Sequence, residues 1–321
     1  MNSNKEIELK FFVNSDLSAD AVVALVDQNL SDYDLQKLPR RNLKNTYYDT
    51  ENQLLKKHGV GLRVRRDGES YEETVKSDSE TEGGLHCRTE YNVQIKSENP
   101  DLKLFPEDFW KERDLDPESL QSSLRGVFST DFCRIRRKII REGRVIAEFS
   151  FDFGKITVGD KFELINEIEL ELVDGSLKEL LEIARKVVEN DALKLNLDSR
   201  SKAQRGYELA GLSVPPSAKS FLLLDGDRDA LIREYFKMYM EHEQLLLSRF
   251  DLRSLSVMTL SAYQLQKLTN DHNYNMIIPV LLELERMVAD SQGRREKFMK
   301  MICSRLYLLF VLNSYEAIYC S

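Results

Sequence analysis

The chain is short of the residues that build zinc knuckles and disulfide frameworks. Its 321 residues include four histidines and four cysteines, and Cys87, Cys133, Cys303 and Cys320 form no CxxC pair. That argues against a structural zinc site. Long apolar runs are also missing. The best, Met276–Leu282 and Leu306–Leu312, fall far below the roughly 18–20 residues that span a bilayer. The segment Met1–Lys5 is polar and lacks the apolar core of a signal peptide. A cytoplasmic, reducing location with no membrane partner is therefore expected. Nor is there an excess of positive charge. With 46 Lys and Arg against 54 Asp and Glu, the formal net charge is −8. A general nucleic-acid binder usually presents a basic surface, so nucleic acid is not an expected partner. A local basic site remains open. No solenoid-type repeat is visible.

What is present fits a soluble globular protein, with 42% hydrophobic and 31% charged residues. The length suits two domains or one large one. Up to about residue 215 strand-like runs dominate, near Ile7–Val13, Lys44–Asp49, Gly61–Arg66, Tyr71–Ser77, Arg88–Ser97, Asp131–Arg141, Arg144–Phe153 and Leu164–Val173. Turns such as Asp67-Gly68 and Glu142-Gly143 separate neighbours, as in hairpins. Helices are expected over Asp20–Leu30 behind Ser18, near Pro117–Leu124, and over Ser176–Glu189. The segment Ser213-Val214-Pro215-Pro216-Ser217 reads as a linker. Beyond it the spacing predicts helices over Asp229–Arg249, Ser256–Thr269, Tyr274–Ala289 and Arg295–Tyr319, with Pro279 at a first turn or a kink. The division is thus residues 1–212 and a helical domain, residues 218–321.

The strands carry an unusual charge pattern. Glu6, Glu8 and Lys10 share one face of a strand, and Ile7, Leu9 and Phe11 share the other. Like spacing recurs in Arg63 and Arg65, in Thr74 and Lys76, in Arg88 and Glu90, and in Arg134 and Arg136. It recurs again in Glu148 and Asp152, and in Glu167, Glu169 and Glu171. One such strand would have its polar face in water. Several together resist that reading. Three carboxylates side by side repel each other unless cations compensate, and the paired arginines have no local acids. Segregated acids and bases make better sense around a shared interior. Eight closed strands make a barrel whose lumen residues alternate with the outer ones. Clustered Arg and Lys bind phosphate oxygens, and clustered carboxylates bind hard divalent cations such as Mg²⁺ or Mn²⁺. A polyphosphate with metal ions would neutralise both sets. Phosphoryl transfer then needs positioning, charge stabilisation and an oriented water.

The ordered set of motifs resembles the CYTH superfamily, the triphosphate tunnel metalloenzymes. Glu6-x-Glu8-x-Lys10 is similar to its signature. Tyr47-Tyr48-Asp49-Thr50, Gly61–Arg65 and Thr74-Val75-Lys76 are similar to its second to fourth strands. Gly83–Val93, Thr130-Asp131-Phe132, Phe151–Gly154, Glu167–Leu172 and Ser201-Lys202-Ala203-x-Arg205-Gly206-Tyr207 resemble the bacterial inorganic triphosphatases in particular. The resemblance covers residues 1 to about 211. It implies an α+β protein with an eight-stranded antiparallel β-barrel tunnel, flanking helices and a small α-helical C-terminal domain. It implies an enzyme that hydrolyses inorganic triphosphate to pyrophosphate and phosphate with Mg²⁺ or Mn²⁺. Glu6, Glu8, Lys10 and Glu169 would stand at the catalytic centre. Lys10, Arg63, Arg65, Lys76, Arg88, Arg134, Arg136 and Lys202 would hold the substrate. Glu6, Glu8, Glu90, Glu148, Asp152, Glu167, Glu169 and Glu171 would hold metal.

Rival activities on this scaffold are a nucleoside or thiamine triphosphatase and a class IV adenylate cyclase. No element is assignable to the adenine and ribose that a cyclase must place. A non-catalytic polyphosphate scaffold is the rival of another kind, and the many acids argue against it. The region after residue 217 is similar to a shortened CHAD-like bundle, the helical module that such triphosphatases often carry. It holds His242 and His272 but no dense Arg/His face. With Leu231, Tyr235, Met238 and Leu245 at helical spacing, it reads more simply as a helical cap or a homodimerisation element. His58 and His86 read as loop residues, Trp110 as packing, Asp49 as a strand-end residue that either orients a neighbouring basic residue or caps the turn, and Ser77–Glu82 as a solvated loop tip.

Overall fold

A computed structural model describes residues 4–77, 80–82, 85–214, 217–269, 273–287 and 291–320. Eleven strands occur among them: β1 (Asn4–Val13), β2 (Asp34–Lys37), β3 (Arg41–Asp49), β4 (Val60–Asp67), β5 (Ser70–Ser77) and β6 (Glu80–Glu82). They continue with β7 (Leu85–Ile95), β8 (Arg125–Arg141), β9 (Arg144–Val158), β10 (Lys161–Leu172) and β11 (Leu195–Leu197). Eight of them close a circuit, in the order β1, β10, β9, β8, β3, β4, β5, β7 and back to β1. All the pairings are antiparallel. These are the eight expected strands. The short β2, β6 and β11 extend the sheet along β8, β7 and β1. β8 starts six residues earlier than its sequence pattern indicates, because Ser129 and Thr130 pair with Thr157 and Ile156 of a longer β9.

Alternation gives the barrel two faces. Outward-facing Leu9, Phe11, Ile135, Phe149, Phe151, Ile168 and Leu170 are buried under two helices. One is Ala19–Asn29, capped by Ser18, which accepts from the Ala21 amide. The other is Leu177–Val187, started by a full capping box between Ser176 and Glu179. Its Leu180, Leu181, Ile183, Ala184 and Val187 form one buried stripe. On another flank Val60, Leu62 and Val75 pack on Leu102, Phe105, Phe109, Trp110 and Leu120. Trp110 is packing, as expected, and its indole donates to the Leu102 carbonyl at 3.2 Å.

The helical region continues the first of these cores. Tyr235, Phe236, Tyr239, Met258, Phe310, Val311 and Tyr315 belong to the same apolar cluster as β1 and β10. Arg185 ties the helix Leu177–Val187 to Asn313 and Glu316 of the last helix. The expected helix Arg295–Tyr319 is two helices, Ser291–Ile302 and Arg305–Tyr319. Ser304 breaks the pattern by capping the second one, accepting from the Tyr307 amide. Pro279 lies inside the helix Tyr274–Arg286. Among the described residues no single helix is long and apolar enough to cross a membrane. Gln292–Ile302 and Arg305–Tyr319 pass that test only as a pair, bent by 58°.

One buried acid marks this region. Glu243 lies in the helix Arg228–Arg249, accepts from the Tyr307 hydroxyl, and is 1% exposed. Burial pushes its carboxyl up to about 7 from an ordinary 4.5, against the hydrogen bonds from Tyr307 and Gln244. The native state then keeps its proton where the unfolded chain has lost it. Stability should fall as pH rises from about 4.5 to 7, by roughly 3 kcal/mol in all. Urea melts of Glu243→Gln should show that loss removed, with wild type and variant converging at pH 4. A variant that is less stable than wild type at pH 8 would contradict this.

Candidate tunnel site

The inward face of the barrel is built by register. Residues opposite each other in an antiparallel pair share a face. Glu8 stands opposite Glu171, and Lys10 opposite Glu169. Glu167 is opposite Asp152, which is in turn opposite Arg134. Arg65 faces Asn45, Arg63 faces Thr74, and Lys76 faces Glu90. They enclose a cavity of about 870 Å³ whose walls include Glu6, Glu8, Lys10, Arg63, Arg65, Lys76, Glu90, Arg134, Glu169, Glu171 and Lys202.

Its far end is filled. Leu43, Tyr47, Phe128, Phe132, Ile156, Ile165 and Tyr207 pack there as an apolar cluster under the helix Lys202–Leu209. Gly206 allows this contact, since a Cβ there would lie 2.2 Å from the Phe128 ring. Tyr207 donates at 2.8 Å to buried Asp49. Asp49 also accepts from the amides of Thr50, Leu55 and Lys56 at 2.7, 3.0 and 3.2 Å. It is therefore a cap, for the turn that brings Lys56 to the cavity rim.

The charges fall into distinct groups. Arg63, Arg65 and Arg134 crowd together. Burial, then the Arg63 and Arg134 charges, push Arg65 down to about 9. Arg65 is held by Asn45 at 3.0 Å, which itself donates to Thr130 at 2.7 Å. A packed set of guanidiniums, with Arg65 oriented by a neutral amide, suits an anion with several oxygens.

Opposite it lies an acidic group. Burial, then the Glu6 and Glu8 charges, push the Glu171 carboxyl up to about 7. Lys76 pairs with Glu6 at 3.1 Å and also with Glu90, and Arg63 reaches Glu90 at 3.7 Å. Against its burial, Lys76 and Arg63 hold Glu90 low.

A third group lies deeper. Asp152 and Glu167 are 0% exposed. Asp152, Glu167 and Glu169 have oxygens within 4.8 Å of one another. Arg134 binds Asp152 through two bonds of 2.6 Å and Glu169 at 2.6 Å. Lys202 reaches all three acids, and Arg205 reaches Glu167 at 2.9 Å.

Other residues singled out from the sequence fall differently. Arg136 and Glu148 pair with each other at 3.3 Å and are not among the cavity walls. Arg137 turns outward to Asp27 at 2.9 Å. The Arg88 backbone stands opposite Glu6 in β7, and its side chain lies outside the described part. Gly83, Gly84 and His272 lie outside the described residues. His86 is not a loop residue: it is buried in β7 opposite Glu8, with Nε2 at 3.4 Å from the Asp198 carbonyl. Within Ser77–Glu82, Glu80–Glu82 form a strand and residues 78–79 are outside the described part. Sequence reasoning missed Asn45, Asn92 and Tyr47 as tunnel residues. Each has the inward parity of a neighbour already chosen, but an amide or a tyrosine carries no charge signal.

A closed antiparallel tunnel with a guanidinium cluster facing carboxylates defines a β-tunnel for an anion together with a cation. The CYTH domain matches residues 4–207. The chain belongs to the CYTH family. It is 34% identical over 209 residues to an inorganic triphosphatase of Haemophilus influenzae, covering 64% of this chain and 55% of the relative. The chain thus spans about half the length of that curated relative. Among solved structures, a Hippeastrum protein described as a candidate adenylyl cyclase with dominant triphosphatase activity covers 65% of this chain and 98% of its own. Its identity is 16% and its TM-score 0.45. A candidate adenylate cyclase from Bacillus halodurans covers 68% and 96%, with 19% identity and a TM-score of 0.34. The family assignment rests on the domain match.

The crowding at Arg65 has a measurable consequence. Arg65→Met should raise the melting temperature of the ligand-free protein, corresponding to about 1 kcal/mol, by relieving like-charge repulsion in a buried site. It should also weaken triphosphate binding at least tenfold, since a hydrogen bond to a charged group contributes about 1.5–3 kcal/mol. Calorimetric titration and thermal melts read both effects. A lower melting temperature with unchanged affinity would sink the assignment.

Proposed function

We propose that the chain is a divalent-metal-dependent triphosphatase that hydrolyses inorganic triphosphate to pyrophosphate and phosphate. The observation that carries this reading is the division of one cavity into the cluster Arg63, Arg65 and Arg134 and the acids Glu6, Glu8 and Glu171. The inorganic triphosphatase relative and the family membership support the same activity. The filled end under the helix Lys202–Leu209 suits a substrate that is phosphate throughout, with no base or ring to house.

The acids fit a hard divalent ion. Glu171 is held near the point of protonation by its burial and by Glu6 and Glu8, and an oxygen-only donor set is what Mg²⁺ or Mn²⁺ takes. When bound, such an ion supplies charge neutralisation on the phosphate oxygens and a more acidic water. The protein's own groups do the rest. Arg63, Arg65 and Lys76, on the neighbouring strands β4 and β5, grip phosphate oxygens along one wall, and Lys10 reaches them from β1, so that the chain lies extended. Glu90 holds Arg63 and Lys76 in place, and Glu169 holds Lys10 and Arg134. This fixes the charges before the substrate arrives, so the developing charge on the leaving pyrophosphate meets oriented donors. Residues 1–212 form the tunnel unit in this proposal, and 218–321 the helical unit beside it. The four free cysteines suit a reducing, cytoplasmic setting.

Phosphate release with Mg²⁺ or Mn²⁺ should be fastest for triphosphate, well ahead of ATP and thiamine triphosphate, and absent with chelator. Rapid cyclic AMP formation with no cleavage of triphosphate would reject the proposal. Glu8→Gln should lose more than 100-fold in turnover, on the order of 3 kcal/mol, while keeping measurable triphosphate binding. Because Glu171 is protonated below about 7, turnover should climb as pH rises through that value. A sharply acidic optimum would count against it.

A further inference from the structure

The two acidic groups of the tunnel are not equivalent. The deeper one consists of Asp152, Glu167 and Glu169, whose oxygens converge within 4.8 Å. By spacing alone they are the candidate cation site among the described residues. They already surround a cation. The Lys202 Nζ lies 2.6 Å from Asp152 Oδ2, 2.9 Å from Glu169 Oε1 and in contact with Glu167 Oε1. An ammonium has three donors; here the Nζ donates to Glu169 Oε1, and the Asp152 and Glu167 oxygens are its ion-pair neighbours. Arg134 takes further oxygens of Asp152 and Glu169, and Arg205 the second oxygen of Glu167. Three acids thus meet Lys202, Arg134 and Arg205, with Lys10 also 3.9 Å from Glu169 Oε1, and the group is neutralised without any ion. Glu8 and Glu171, by contrast, stand opposite each other in register and line the cavity beside Glu6.

Lys202 is also held mechanically. Ser201 caps its helix. The turn before it is clamped by Gln244 of the helical region, which accepts from the amide and the hydroxyl of Ser199 at 3.0 Å and donates to the Leu197 carbonyl at 3.3 Å. Arg205, three residues on and on the same face, binds Glu163 at 2.7 Å. Gly206 sits flush on Phe128.

We infer that Lys202 is a tethered cation that permanently fills the deep triad Asp152, Glu167 and Glu169, so that divalent ions enter the tunnel only at the Glu6, Glu8 and Glu171 group. Lys202 is then a positioning residue and not a substrate ligand, and Asp152 and Glu167 are its socket and not metal ligands. The helical region acquires a role, since Gln244 sets the turn that aims Lys202. This rests on the proposed reading of the tunnel as a divalent-ion site.

Mn²⁺ titrations followed by electron paramagnetic resonance, on the full chain without triphosphate, test it. Wild type should bind one Mn²⁺ per chain, and Glu8→Gln should lose it. Lys202→Met should gain a second Mn²⁺, and Lys202→Arg should stay at one. Asp152→Asn, in a background where Lys202 is intact, should leave the single Mn²⁺ in place with its affinity changed less than threefold. That variant keeps the inference open to refutation if Lys202→Met does not fold. Loss of the wild-type Mn²⁺ in Asp152→Asn, or an unchanged count in folded Lys202→Met, would overturn the socket and leave the triphosphatase reading standing. Two Mn²⁺ on wild type would also overturn it. No Mn²⁺ on wild type would remove the underlying reading, and the inference with it.

Discussion

Everything in this protein follows from turning the charged faces of eight strands inward and closing them. A charge taken out of water must be paired, hydrogen-bonded or neutralised. Closure makes that demand on more than a dozen ionisable groups at once. The barrel answers it unevenly. At the deep end, Arg134, Lys202 and Arg205 meet Asp152, Glu167 and Glu169 with short ion pairs. Nearer the cavity, Arg65 stands among other guanidiniums and Glu171 among other carboxylates. The balanced part is scaffold. The unbalanced part is where a polyanion and a hard cation would release stored repulsion.

The outer faces hold this interior in register. Period-two alternation places Leu9, Phe11, Ile168 and Leu170 under a capped pair of helices, and Val60, Leu62 and Val75 under the segment around Trp110. A slip by one residue would send every lumen charge into these apolar layers. The helical region strengthens the first layer by adding Tyr235, Phe236, Phe310 and Tyr315 to the same core. Among the described residues, Gln244 ties it to Ser199, two positions before the cap of the helix that carries Lys202.

Legibility tracked charge and period. The eight circuit strands could be read because each alternates, and their acids and bases were visible as chemistry. β2, β6 and β11 were not, because each is three or four residues long and exists through its partner's hydrogen bonds and not through its own pattern. His86 looked like part of a glycine-flanked loop, and only pairing with β1 and burial against Asp198 put it in the wall. The break before Arg305 was hidden by a continuous apolar pattern, although Ser304 has the residue type of a cap.

The linear chain determined, by itself, which side chains share a face, because backbone geometry repeats every two residues in a strand. It thereby determined that Glu6 and Glu8 lie with Lys10, and Glu167 with Glu169 and Glu171. Which of these faces each other was decided only by the closed sheet. Nothing in the order of residues says that Lys202, thirty-three positions beyond Glu169, ends at hydrogen-bond distance from it, or that Arg65 crowds Arg134. Those contacts arise from strand register and from a helix lodged in the barrel end, and electrostatic balance depends on distance in space and not along the chain.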